Sequence, residues 1–179
     1  MKPSTKTLLA CSLLIVVFGL SFTFFYKRAQ SSLPTQSLIL TPSVIGQPLP
    51  KAELVNSSGN LLDDDKLRRG RVVLIFSLIE CEPCDRENDF LKTLDASRKD
   101  VRFYYVIPFG IKDKALAAAN KKYAFETFFD EHSMLSRSLQ VYQVPIKVFI
   151  EDGVIKKTWV DTTVDTQRRD EFKDWLNGL

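Results

Sequence analysis

Two cysteines with two residues between them, Cys81-Glu82-Pro83-Cys84, are the part of this 179-residue chain best suited to chemistry. The spacing lets Cys84 fold back toward Cys81, as a disulfide needs. An apolar run, Val72-Val73-Leu74-Ile75-Phe76, precedes the pair, and a helical pattern with Phe90, Leu91 and Leu94 follows it. Strand, turn and helix in that order put Cys81 beside the unpaired amides and positive dipole end of a helix, where a thiolate is stabilised. Pro83 has no amide hydrogen to lose and suits the first turn. Cys81 is the expected nucleophile, attacking a substrate disulfide to give a mixed disulfide. Cys84, one turn inside the helix and less exposed, is the expected resolving thiol. The redox-active disulfide Cys81–Cys84 serves as the only cofactor.

Glu87 follows Cys84 at helical spacing, on the edge of the stripe that Leu91 and Leu94 continue. Its neighbours four residues away, Pro83 and Leu91, carry no cation. A carboxyl group there is expected to have a raised pKa and to pass protons to and from Cys84. Glu80, Glu82, Asp85 and Glu87 surround the dithiol with only Arg86 opposing them locally. Nearby negative charge disfavours a thiolate, so Cys81 is expected to be less acidic than in strong oxidants and the couple to act as a reductant.

Other chemistries fit less well. A metal site would have to combine Cys81, Cys84 and His132, the only histidine, without the wider cysteine spacing of copper chaperones. A peroxidase would want a threonine where Leu78 stands. Asp63-Asp64-Asp65 reads as a helix cap and a solvated face. No metal is expected. A domain kept only for docking would need neither cysteine.

The elements that must position the dithiol can be read in order. Ala52–Asn56 is a first strand, ended by the turn Ser57–Asn60, and Asp63 opens a short helix closing at Arg69-Gly70. Val72–Ser77 is a buried central strand. A helix is expected from Pro83 to about Ala96, a strand over Val101–Ile107, and an amphipathic helix over Lys112–Tyr123. Glu126–Phe129 is a short strand and His132–Leu139 a helical turn or two. Lys147–Glu151 and Val154–Val160 form a hairpin through Asp152-Gly153. A last helix runs from Thr166 to Leu176, with Phe172, Trp175 and Leu176 inward. This alternation predicts an α/β domain of three layers, α/β/α, around a mixed sheet.

Ahead of the domain, Leu8–Tyr26 is 19 residues without a charge. As a helix it would span roughly 28 Å at about 1.5 Å per residue, matching a hydrocarbon core of about 30 Å. The run exceeds a signal-peptide core, and bulky Phe24-Phe25-Tyr26 ends it in place of a cleavage site. Residues 1–28 are therefore expected to be an uncleaved transmembrane anchor in the lipid bilayer, 29–44 a linker and 45–179 the domain. Two basic residues flank each end of the span, so charge does not orient it. The dithiol favours the exported side of the cell membrane, outside the cytosol's thiol buffers. Without Lys2, Lys6, Lys27 and Arg28, 21 basic residues face 22 acidic ones, a net charge of −1 that gives nucleic acid no purchase.

Taken together, residues 45–179 resemble the thioredoxin fold, and within it the membrane-anchored TlpA/ResA-like thiol-disulfide oxidoreductases. The likeness rests on the Cys81-Glu82-Pro83-Cys84 variant, on Glu87 where this branch has an active-site glutamate, on Val144-Pro145 before the last hairpin, and on the Lys112–Tyr142 insertion. It implies a cis Pro145, leaving the Val144 backbone to pair with an extended substrate strand beside Cys81. It also implies exported disulfide-bonded proteins as substrates, apocytochrome c among them in cytochrome c maturation, and a membrane thiol-reductant donor. Two positions depart from the pattern. Glu80 replaces the usual tryptophan, and Ile75 stands where thioredoxin has a buried aspartate.

Overall fold

A computed structural model describes residues 44–94, 100–108, 121–160 and 166–179, all within the compact unit spanning residues 38–179. Its centre is β2 (Arg71–Phe76), whose residues Val72 to Phe76 are all completely buried. A run this apolar on both faces needs cover on both sides, which a central strand receives. β3 (Val101–Pro108) pairs with it in parallel and β5 (Ile146–Glu151) antiparallel. With β1 (Val55–Asn56), β4 (Thr127–Asp130) and β6 (Val154–Val160) the sheet reads β1-β4-β3-β2-β5-β6. The β3–β4 pair is parallel and the β1–β4 and β5–β6 pairs antiparallel, so the sheet is mixed.

Alternation along the strands divides the core in two. Val73, Ile75, Tyr105 and Phe149 face α2 (Glu82–Thr93) and α4 (Thr166–Asn177), meeting Leu91 of the first and Phe172 and Leu176 of the second. Leu74, Phe76, Val148 and Ile150 face the other way, against Leu67 of α1 (Asp64–Arg68) and Leu135 of α3 (Met134–Ser138). The result is the three-layer α/β/α domain that the sequence predicts.

Several boundaries move. The first strand shrinks from Ala52–Asn56 to Val55–Asn56, because only these two residues find backbone partners on β4. α2 ends at Thr93, where Leu94 turns to extended backbone, so the helix stops short of Ala96. The expected linker is already part of the domain at Val44, which is buried; Gly46 N–H donates to the Ile155 carbonyl at 2.7 Å and covers the β6 edge. Asp63 caps α1 through the Asp65 amide, and Asp152 and Gly153 both take the positive φ of the expected hairpin turn. The anchor, most of the linker and residues 112–120 lie outside the described residues. Among the described residues no helix is long and apolar enough to cross a membrane.

Candidate active site

Cys81 is the N-cap of α2 in extended conformation, and its sulfur accepts the Cys84 amide proton at 3.3 Å. The two sulfurs are bonded, with Cα atoms 5.2 Å apart, inside the range a disulfide allows. Cys81 is half-buried and Cys84 completely buried. Cys81 is therefore the more accessible of the two, the asymmetry expected of attacking and resolving thiols. Pro83 occupies the first turn of α2, where its missing amide costs nothing. The chain enters this turn through Glu80, an exposed residue with φ +60°, a left-handed conformation that costs a non-glycine residue about 1 kcal/mol.

The acidic surroundings differ from expectation. Arg86 pairs with Glu82 at 2.7 Å, and Lys122, from the segment before β4, pairs with Asp85 at 2.5 Å. Arg86 is therefore not alone in opposing the acids: cations brought by the fold offset them, and of the two acids adjoining Cys81 in sequence Glu80 is the one with no ion pair among the described residues.

Glu87 is the second departure. It is buried, one turn beyond Cys84, and forms an ion pair with Lys147 of β5. No cation stands four residues from Glu87 along α2, where Pro83 and Leu91 lie. The partner comes from across the sheet, where Lys147 lies opposite Ile75 in the β2–β5 ladder. Lys147 also sits 4.9 Å above the Phe172 ring of α4.

Around the pair lies a polar network that the sequence did not disclose. Tyr105 donates to Asn88 Oδ1 at 3.0 Å, and the Ala124 amide donates to the same oxygen at 3.0 Å. Asn88 Nδ2 donates to the Lys122 carbonyl at 3.0 Å. Ser77 donates to the Tyr123 hydroxyl at 3.0 Å, which in turn donates to the Leu78 carbonyl at 2.9 Å, bracing the turn before Cys81. Burial pushes the Tyr105 and Tyr123 hydroxyls above the usual phenol range, and the Glu87 charge adds to this at Tyr105. Lys147 alone had a sequence signal: a lone charge inside the apolar strand Ile146-Lys147-Val148-Phe149-Ile150.

The Val144–Pro145 peptide bond is cis, with Val144 half-buried and Pro145 buried. Ile146, the next residue, pairs with Phe76 at the end of β2 that leads to Cys81, so the proline loop and the dithiol share one end of the sheet. His132 is exposed in the turn after β4. Among the described residues no three His, Cys, Asp or Glu side chains are grouped to hold a metal ion.

The mixed sheet and the helices that flank it match many solved structures. A secreted Mycobacterium tuberculosis disulfide oxidoreductase homologous to E. coli DsbE matches with TM-score 0.58 and 22% identity, over 70% of this chain and 94% of that one. The chain has the thioredoxin fold. A thiol-disulfide oxidoreductase from Bacteroides fragilis gives TM-score 0.57 and 19% identity over 70% and 99% of the two chains. Mycobacterium tuberculosis DsbF, solved in mixed oxidised and reduced forms, gives 0.54 and 21% over 72% and 98%. No protein-family model matches the sequence, and no curated protein does. On the thioredoxin fold the Cys81–Cys84 pair occupies the turn between the central strand and its helix.

Proposed function

We propose that the protein is a membrane-anchored thiol-disulfide oxidoreductase that reduces disulfides in exported proteins. The observation that carries this reading is the asymmetric pair: a half-exposed Cys81 capping α2, bonded to a completely buried Cys84. Reduced, Cys81 is the attacking thiolate and Cys84 the resolving thiol, with Glu87 beside it as the proton acceptor. A substrate strand lies along Val144 and Pro145 at the same end of the sheet, and Glu82 and Pro83 shape the turn between the sulfurs. The disulfide itself is the redox centre, with no further cofactor.

Residues 8–26 anchor the domain in the cell membrane, and the dithiol favours its exported face, where a membrane thiol transporter supplies electrons and apocytochrome c cysteines are one substrate class. The pairing of Glu82, Asp85 and Glu87 with cations leaves Glu80 to carry the electrostatic bias toward a reductant.

The reduction potential of the full-length protein, equilibrated against defined dithiothreitol and glutathione buffers, tests the reading. A value near about −270 mV supports a reductant fed by a membrane donor, and one near about −120 mV reverses the direction of electron flow. If Cys81 and Cys84 form no reversible disulfide, the enzyme reading is lost.

A further inference from the structure

Beneath the dithiol, the Glu87–Lys147 pair is nearly sealed from solvent, with the lysine side chain 0% and the glutamate 1% exposed. Removing an ammonium and a carboxylate from water carries a large desolvation cost, which their mutual attraction only offsets, and an apolar pair of similar volume is often as stable or more so. Stability therefore does not explain why a lysine interrupts the apolar strand β5. Its position does, because the carboxylate it holds is one helical turn from Cys84.

Taking the dithiol chemistry above as given, we propose that Lys147 is a positioning residue of the site, whose ammonium fixes the Glu87 carboxylate where it takes the Cys84 proton during resolution. The chemistry is balanced. The Cys81 thiolate attacks one sulfur of the substrate disulfide, forming the mixed disulfide and releasing the first substrate thiolate. The Cys84 thiol then gives its proton to Glu87, and the Cys84 thiolate attacks the Cys81 sulfur. The bond between Cys81 and the substrate breaks, the second substrate thiolate leaves, and Cys81–Cys84 is oxidised as the substrate is reduced by two electrons. Lys147 takes no part in the bonds made and broken.

The surroundings leave this task to Lys147. Lys122 is engaged with Asp85, Arg86 with Glu82 and Lys92 with Asp89, all at least partly exposed. From β3 the group facing Glu87 is Tyr105, whose phenol is held neutral by burial and by the Glu87 charge, with Tyr123 stacked on it at 4.3 Å between ring centres. From α4 the contact to Lys147 is the uncharged Phe172 ring. From α2 the titratable neighbours are Cys84, Asp85 and Asp89, and Cys81 caps the helix.

The test uses the full-length protein with oxidised glutathione as the disulfide, following the glutathione–Cys81 mixed disulfide by acid quench and mass spectrometry across a pH series. In Lys147→Met the mixed disulfide should persist at least about tenfold longer than in wild type, with an altered pH profile, and Lys147→Arg should recover much of the loss. Because the pair acts as a unit, Glu87→Gln/Lys147→Met should resolve no more slowly than Glu87→Gln alone. Wild-type resolution rates and pH profile in a folded Lys147→Met overturn the proposal. So does a further tenfold loss in the double variant relative to Glu87→Gln. Should Lys147→Met fail to fold, that second comparison decides, since the double variant buries no unpaired charge. A wild-type protein that forms no mixed disulfide or Cys81–Cys84 disulfide would instead remove the dithiol reading, and the role of Lys147 with it.

Discussion

Tyr105 of β3 donates a hydrogen bond to Asn88 Oδ1 of α2 at 3.0 Å, with both side chains buried. The same amide side chain holds the Ala124 amide and the Lys122 carbonyl, so one residue fastens the catalytic helix to the sheet and to the segment entering β4. Each buried polar group left without a partner costs about 1–3 kcal/mol.

Asn88→Ala strands three such groups at once, two of them only partly buried. We expect a loss of roughly 2–4 kcal/mol, seen as a lower urea midpoint at unchanged slope. Tyr105→Phe, which removes one bond of the three, should cost about 1 kcal/mol. Equal losses in the two variants would mean that Asn88 does not work as a three-way clamp.

Glu80 combines a positive φ with one of the two negative charges adjoining Cys81 in the chain, the other, Glu82, being paired with Arg86. Asparagine tolerates the left-handed region and carries no charge. Glu80→Asn should therefore stabilise the domain by up to about 1 kcal/mol. It should also raise the Cys81 thiolate fraction of the reduced protein about two- to fivefold at neutral pH and low salt, since exposed charges interact weakly and are screened. Alkylation rates of Cys81 across pH measure the second effect, which should shrink in high salt. An effect of the same size at every salt concentration would point to backbone conformation as its cause.

What could be read from the sequence was whatever is local along the chain. The apolar run Val72–Phe76, the Asp152-Gly153 turn and the cysteines at a helix start each carry their signal within a few residues, and each was found where expected. Glu87 was placed correctly on the buried side of α2 by its spacing from Cys84 and Leu91. Its ion partner was not legible there, because Lys147 lies 60 residues away in sequence and meets it only through the β2–β5 pairing. Lys122 reached Asp85 in the same way. Helical spacing reports which side chains share a face, but it says nothing of what the sheet brings to that face.

The tyrosines make a prediction at alkaline pH. Burial, reinforced by Glu87, raises the Tyr105 phenol above its free value of 10.0. The unfolded chain then releases this proton above about pH 10 while the folded protein keeps it. Folding thus retains a proton that unfolding loses, so the contribution of Tyr105 is fully present below pH 10 and declines as pH rises toward the folded value, by up to about 1.4 kcal/mol per pH unit. Tyr105→Phe has no such group to titrate. It should be less stable than wild type near neutrality, lose stability more slowly above about pH 10, and overtake wild type within about one to two pH units beyond. Urea midpoints taken at rising pH for the two proteins would show the crossing. Parallel alkaline limbs would mean that Tyr105 ionises as readily in the folded protein as in the unfolded chain.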